Sequence, residues 1–212
     1  MRYAHARMSV PDTPQIASPR TISREEIADL PIGRYEGDVC LVATPEDLER
    51  AAADIRAERI VGFDTETRPA FRKGEVHLPC LVQVATARAV YLFQLRRPDG
   101  SALLAEMLED TRIVKTGVAV AHDLRELKHV FAFQEKNVLD LGLVARHSGL
   151  GQTGLRNLAG LFLSIRIPKG AKTTNWAAAH LSPAQIDYAA TDAWVCRQVY
   201  LRFVSLGLVR VP

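Results

Sequence analysis

Short apolar segments recur along this chain and are separated by Pro, Gly and charged residues. Three of them, at 60–66, 81–85 and 90–93, are rich in β-branched and aromatic residues and follow one another directly. Segments of this kind predict three consecutive strands that form a meander. Similar runs at 39–42 and 113–115 predict two further strands.

Helix signals lie before, between and after these strands. A capping-box pattern that begins at Ser23 predicts a short helix, and a threonine followed by proline predicts a longer one over 45–57. Apolar residues at helical spacing predict helices over 103–108 and 124–131. Beyond residue 138 the chain is predicted to be helical to its end.

The last helix has the strongest start signal in the sequence. Ser182 is suited to the N-cap, Pro183 to the first turn, and Gln185 to a capping box with Ser182. A helix that starts here places Tyr188 and Asp192 in its second and third turns. Because they are four residues apart, both side chains lie on one helical face.

Three strands, then alternating helices and strands, then helices predict an α/β layer fold with a mixed central sheet and flanking helices. With 212 residues and 48% hydrophobic content, the chain is expected to bury one sizeable core. We expect an N-terminal extension with a short helix at 1–37, one main domain at 38–206 and a short tail at 207–212.

Composition narrows the class of protein. The formal net charge of +3 permits a polyanionic partner without requiring one. The three cysteines are far apart and lie in apolar runs, so we expect buried free thiols in a reducing cytosol. No apolar run approaches the ~18 residues of a membrane span, and the N-terminal residues lack the apolar segment of a signal peptide. A cytoplasmic protein without a membrane partner is expected.

Two acids close the strand predicted at 60–66. Asp64 and Glu66 are two residues apart and therefore point to one face of the strand. Two carboxylates on an apolar strand cost desolvation and mutual repulsion unless a cation lies between them. Oxygen ligands without a local Cys/His cluster favour Mg²⁺ or Mn²⁺ over zinc. A strand end with two solvated acids is the alternative.

Three further residues are candidates for the same site. Asp123 lies at the start of an amphipathic helix, where an acid alternatively only interacts with the helix dipole. For Tyr188 and Asp192 the alternative is a core tyrosine and a surface acid. Alanines at 189, 190 and 193 argue against it, because they give the helix a small-sided surface that can approach a sheet closely. Such an approach would bring Asp192 to the two strand acids.

The ordered set of Asp64 and Glu66, then Asp123, then Tyr188 and Asp192 resembles the DEDD superfamily of 3′ to 5′ exonucleases. The resemblance extends over about 39–204 and includes Lys-Thr-Gly-Val before the third acid and Asn-Trp before the last helix. It looks closest to the exonuclease domain of the Werner syndrome helicase, with ribonuclease D a nearby relative.

The superfamily has two branches, in which either a histidine or a tyrosine orients the attacking water. The histidine would be expected five residues before the last aspartate, where this chain has Asp187. Tyr188 stands four residues before Asp192. The chain therefore resembles the tyrosine branch.

The resemblance implies a ribonuclease H-like, DnaQ-type fold and a two-metal mechanism with Mg²⁺ or Mn²⁺. One metal would be held by Asp64, Glu66 and Asp192 and would bind the nucleophilic water. The second would be held by Asp64, with Asp123 acting directly or through water. Tyr188 would orient the water, because a phenol with a reference pKa of about 10 is mostly protonated at neutral pH.

The implied substrate is a nucleic acid 3′ end, from which nucleoside 5′-monophosphates are released. The Ala-Thr-Asp-Ala form at 190–193 leans towards the Werner-like subgroup and hence towards DNA. RNA 3′-end processing and short-oligonucleotide degradation remain alternatives. A nuclease-like scaffold that only binds nucleic acid is a further alternative, but the complete carboxylate set argues against it. A ribonuclease H-like endonuclease is another, and the Tyr-x-x-x-Asp helix argues against it.

Candidate substrate contacts lie beside the strand acids and in the basic loop before Trp176. They are Thr65, Thr67, Arg68, Lys73, Lys169 and Lys172. Basic residues beside glycine suit a polyanion, but a solvated loop explains them equally well. Trp176 is expected to be a packing anchor. Because no helicase motif or additional nucleic-acid-binding module is recognised, processivity is expected to require a homo-oligomer or a helper protein.

Overall fold

We describe a computed structural model of the chain that covers residues 21–70, 72, 74–168, 170 and 174–210. Its strands are β1 (Asp38–Leu41), β2 (Ile60–Thr67), β3 (Pro79–Ala85), β4 (Ala89–Gln94), β5 (Val114–Gly117) and β6 (Val138–Asp140). Its α-helices are α1 (Arg24–Asp29), α2 (Pro45–Ala57), α3 (Ser101–Glu109), α4 (Val120–Leu127), α5 (Leu141–His147), α6 (Leu155–Leu163) and α7 (Pro183–Ser205).

The six strands form one mixed sheet in the order β1-β4-β3-β2-β5-β6. β3 pairs antiparallel with both β2 and β4, which confirms the predicted meander. β1 extends the sheet in parallel beside β4, and β5 and β6 extend it in parallel beyond β2. The predicted α/β class with a mixed central sheet is therefore confirmed.

The main helices begin where the capping signals predict. Ser23, Thr44 and Ser182 are the N-caps of α1, α2 and α7, and each forms a complete capping box. Reciprocal hydrogen bonds of this kind satisfy backbone donors that the first helical turn leaves free. In the part of the chain that the structure describes, no helix combines the length and apolar character needed to cross a membrane.

The prediction of helix from residue 138 to the end of the chain was wrong at β6, in the segments between the later helices and after Ser205. Val138–Asp140 forms β6, which pairs with β5 and has too few residues to show a strand periodicity. The described residues between α6 and α7 are not helical. Ser164 ends α6 in the left-handed conformation, with φ of 56°, and Pro168 follows four residues later. Proline removes a backbone donor and opposes helix continuation.

Helices cover both faces of the sheet. On one face, residues of α2, α3 and α4 pack with Phe63 and other strand side chains. On the other face, α7 crosses the strands, with α5 and α6 packed beside it. Gly62 lets α7 approach, because a Cβ atom there would collide with the carbonyl oxygen of Ala193. The small-sided surface predicted for the last helix therefore faces β2.

The N-terminal segment at 21–37 packs on the helix layer that contains α7. Side chains of Ile22, Ile27 and Leu30 lie next to Gly160 of α6. The backbone N–H of Tyr35 donates to the Thr191 hydroxyl of α7 at 3.1 Å. These contacts make the segment part of the folded body.

All three cysteines are free, as predicted. Cys40 and Cys196 are buried as predicted, but the predicted burial was wrong for Cys80, which is half-buried.

Candidate active site

The first two acids lie at the end of β2 that is nearest the start of α7. Gly62 faces the α7 backbone, and residues two apart on a strand share a face, so Asp64 and Glu66 point towards α7. Glu66 is buried and Asp64 is half-buried. The strand thus presents both carboxylates to the helix.

Helix α7 supplies the third acid. Asp192 is 7% exposed. Carboxylate oxygens of Asp64, Glu66 and Asp192 all lie within 4.8 Å of one another. Among the described residues, this is the one group of at least three acids, histidines or cysteines close enough to share a metal ion. A separation of this size suits oxygen atoms that ligate one hard divalent cation.

The fourth acid approaches from the opposite helix layer. Asp123 lies in the first turn of α4, which begins after Ala119 in the left-handed conformation, with φ of 59°. Thr65 lies between the two strand acids in sequence and points to the other face of β2, where its hydroxyl hydrogen-bonds Asp123. Asp123 is therefore held beside Asp64 without belonging to the group of three.

The four carboxylates repel one another in the absence of a cation. Burial, followed by the charges of Asp192, Glu66 and Asp123, raises the pKa of Asp64 well above its ordinary value. Burial also raises the pKa of Asp123 to about 6. Closely spaced buried carboxylates take up protons unless a positive charge neutralises them. The acids therefore form a site suited to cations.

Tyr188 lies one turn before Asp192 on the same face of α7. Its hydroxyl donates a hydrogen bond to Asp192, and burial followed by the charges of Asp192 and Glu66 raises its pKa above the ordinary range. The phenol consequently remains protonated at neutral pH. The Trp176 ring lies 6.1 Å from the Tyr188 ring between centroids and is 1% exposed, as predicted for a packing anchor.

A cleft of about 490 Å³ opens in front of the acids. Its opposite wall is the start of α6 and includes Arg156 and Asn157. Arg156 is half-buried, and one of its nitrogens donates to the Pro168 carbonyl at 3.2 Å. Among the described residues that line the cleft, it is the one cationic side chain. Sequence reasoning missed both residues, since no local pattern connects the start of α6 with the acids.

The predicted substrate contacts fall into three groups. Thr65 is among the residues that line the cleft, although its hydroxyl is hydrogen-bonded to Asp123 on the other face of β2. Thr67 is half-buried at the end of β2 and Arg68 is exposed just beyond it, outside the cleft lining. The remaining three, Lys73, Lys169 and Lys172, lie outside the described residues.

Curated relatives match most of this chain. A ribonuclease D from Gluconacetobacter diazotrophicus is 33% identical over 167 residues, which cover 77% of this chain and 42% of that protein. A human exonuclease mut-7 homolog is 32% identical and is matched over 84% of this chain and 24% of its own length. The chain thus spans less than half of the length of these relatives.

Solved structures share the fold. The exonuclease domain of Aedes aegypti Nibbler superposes with a TM-score of 0.73 at 23% identity and covers 82% of this chain and 91% of that chain. Escherichia coli ribonuclease D gives a TM-score of 0.66 at 20% identity, over 81% of this chain and 48% of that chain. These likenesses confirm the predicted ribonuclease H-like, DnaQ-type fold. Residues 39–206 match the 3′-5′ exonuclease family, and the chain belongs to that family.

Proposed function

We propose that this chain is a metal-dependent exonuclease domain that removes nucleotides from the 3′ end of a nucleic acid and releases nucleoside 5′-monophosphates. The observation that carries the proposal is the convergence of Asp64, Glu66 and Asp192 within 4.8 Å of one another beside Tyr188. These residues come from a strand and a helix far apart in sequence. Membership of the 3′-5′ exonuclease family supports the same function.

Family membership implies divalent metal ions, and the residues present fit them. All four acids offer oxygen ligands, the type that Mg²⁺ and Mn²⁺ prefer. Asp64, Glu66 and Asp192 would hold one ion, and Asp64 with Asp123 would hold the second. When bound, the two ions activate a water and stabilise the attacking and leaving oxygens of an in-line displacement.

Tyr188 and Arg156 would act on the substrate from two sides of the cleft. The Tyr188 phenol has one O–H, so it donates to a water or phosphate oxygen only by giving up its hydrogen bond to Asp192, and it is a poor base at neutral pH. Arg156 donates one hydrogen bond to Pro168, and a guanidinium has five N–H donors in all. Its remaining donors suit a phosphate oxygen of a strand lying in the cleft.

DNA and RNA are the two candidate substrates, and each is supported by a different observation. The Werner-like form of the last motif favours DNA. Relatives named ribonuclease D, at 33% and 30% identity, favour an RNA 3′ end. A homo-oligomer or helper protein would supply processivity in either case.

A ladder assay tests the function. The full chain is incubated with DNA and RNA of one sequence, each labelled at its 5′ end, at fixed salt with Mg²⁺ or Mn²⁺. We expect products shortened one nucleotide at a time, no reaction in EDTA, and at least a hundredfold loss of rate in Asp64→Asn and Asp192→Asn. Asp187→Asn removes an exposed charge from the same helix and is the control. Full activity in both site variants would refute the assignment.

Arg156→Ala tests the substrate contact. We expect KM to rise about tenfold, since a charge-assisted hydrogen bond contributes about 1.5–3 kcal/mol. The dependence of log affinity on log salt should become shallower by about one unit for the lost phosphate contact. Arg146→Ala, which removes an exposed charge outside the cleft, should change neither. An unchanged salt dependence in Arg156→Ala would exclude a phosphate contact.

A further inference from the structure

A buried glutamine in the middle of the sheet has no hydrogen-bond partner. Gln83 lies in β3 and is 0% exposed, and neither its amide nitrogen nor its amide oxygen is hydrogen-bonded within the described part of the chain. Buried side-chain amides are nearly always paired, and an unpaired one calls for a bound water, an ion or a functional role. The residues around Gln83 in β3 belong to apolar clusters, where an apolar side chain would pack without leaving polar atoms unpaired.

The sheet register places Gln83 beside the metal-site acids. Gln83 is the direct cross-strand partner of Asp64 on the antiparallel strand β2. Directly opposed residues share a face, with Cβ atoms about 4.5–5.5 Å apart. Leu81 and Ala85, two positions to either side of Gln83, belong to a cluster that includes Ala189 and other residues of α7. The Gln83 side chain therefore lies on the face covered by α7, across the strand pair from Asp64.

A second buried glutamine shows what a structural role looks like in this sheet. Gln94 ends the neighbouring strand β4 and is 4% exposed. Its amide nitrogen donates to the Ala178 carbonyl at 3.1 Å. The amide of Gln83 has no such backbone partner within the described residues, and the polar group across the strand from it is Asp64.

We propose that Gln83 is a positioning residue whose amide N–H donates to the Asp64 carboxylate when the site holds divalent metal. Among described residues, that carboxylate accepts one hydrogen bond, from the backbone N–H of Thr65 at 2.9 Å. A carboxylate has about four lone-pair directions, so a further donor is compatible with metal ligation. The hydrogen bond holds Asp64 in the orientation that ligation requires. This proposal rests on the proposed metal-dependent function.

Thr116 supplies a matched control. It is also fully buried, its hydroxyl also lacks a partner in the described part of the chain, and it also lies next to β2. However, its register partner is Gly62 instead of Asp64. A substitution at Thr116 therefore removes an unpaired buried polar atom only, whereas a substitution at Gln83 also removes the proposed contact to Asp64.

The test compares Gln83→Met with Thr116→Val in the full chain. Methionine preserves the length and approximate volume of glutamine and removes the donor. Mn²⁺ affinity is measured by isothermal titration calorimetry, and thermal unfolding is followed in EDTA. We expect Gln83→Met to bind Mn²⁺ at least tenfold more weakly, as is usual when a residue that orients a metal ligand is lost. Its unfolding midpoint in EDTA should be equal or higher, because an unpaired amide has been removed.

Thr116→Val should bind Mn²⁺ within twofold of the original chain. Unchanged Mn²⁺ affinity in Gln83→Met would overturn the proposal, as would an equal loss of affinity in Thr116→Val. A weaker affinity accompanied by a lower unfolding midpoint in EDTA would assign Gln83 a structural role instead. If Asp64→Asn binds Mn²⁺ as well as the original chain, the metal site itself is wrong, which is a separate failure.

Discussion

Replacing Asp64 by asparagine should make the metal-free protein more stable while removing its response to metal. Asparagine has nearly the same shape, and its amide oxygen can still accept the hydrogen bond from the Thr65 backbone N–H. The substitution removes the negative charge of Asp64, which three neighbouring acids repel. The site is therefore expected to lower stability in the absence of its cation, as functional sites often do.

The size of the effect follows from the spacing of the acids. Two full charges 4.8 Å apart interact by about 3.5 kcal/mol at an effective dielectric constant of about 20. The repulsion on Asp64 cannot destabilise the protein by more than about 4 kcal/mol, because that is the cost of protonating a carboxyl group of ordinary pKa 3.8 at neutral pH, and protonation removes the repulsion. We therefore expect Asp64→Asn to gain about 1–3 kcal/mol in EDTA, which raises the unfolding midpoint of a chain of this size by about 3–10 °C.

Differential scanning calorimetry in EDTA and in Mn²⁺ measures both parts of the prediction. The original chain should gain about 2.7 kcal/mol when free Mn²⁺ is a hundred times its dissociation constant. Asp64→Asn should gain much less. Asp187→Asn, which changes an exposed acid of α7, should stay within about 0.5 kcal/mol of the original chain in EDTA. The reasoning is refuted if Asp64→Asn is less stable than the original chain in EDTA, or if Mn²⁺ stabilises both equally.

Three other predictions concern the phenol, the helix approach and pH. Tyr188→Phe should lower kcat about 10- to 100-fold while Mn²⁺ affinity by calorimetry stays within twofold; equal losses would make the phenol structural. Gly62→Ala should cost about 2–4 kcal/mol of unfolding free energy in urea, since the new Cβ meets the α7 backbone, whereas Gly151→Ala, with open space, should change it little. Because the pKa of Asp123 is about 6 in the folded protein and ordinarily 3.8, protonated Asp123 stabilises the folded state; this contribution is fully present below pH 3.8 and is lost as pH rises through 6. In EDTA, the unfolding midpoint of the original chain should therefore fall relative to Asp123→Asn between pH 5 and 7; parallel pH profiles would contradict this.

Much of the local structure was predictable because its causes are local. The N-caps at Ser23, Thr44 and Ser182 rest on side chains within three residues of the backbone groups that they satisfy. The alternation of β2 assigns Asp64 and Glu66 to one face, and four-residue spacing assigns Tyr188 and Asp192 to one face of α7. Each of these statements needs only the geometry of a single strand or helix.

The elements that prediction missed depend on distant partners. β6 has only three residues, and its strand conformation is stabilised by pairing with β5. Arg156 reaches the cleft because α6 packs against α7, and nothing near it in sequence indicates that position. Gln83 looks like an ordinary polar residue until the register with β2 places it opposite Asp64.

The sequence alone determined the kinds of residue available, the faces on which they lie and the family to which their order belongs. Only the tertiary structure decided which faces meet. Gly62 and the alanines of α7 permit close approach, but burial of the whole sheet face under α7 is what holds Asp192 against Asp64 and Glu66. The physical reason is that local geometry is set by neighbouring bonds, whereas a site built from distant segments exists only when packing fixes them together.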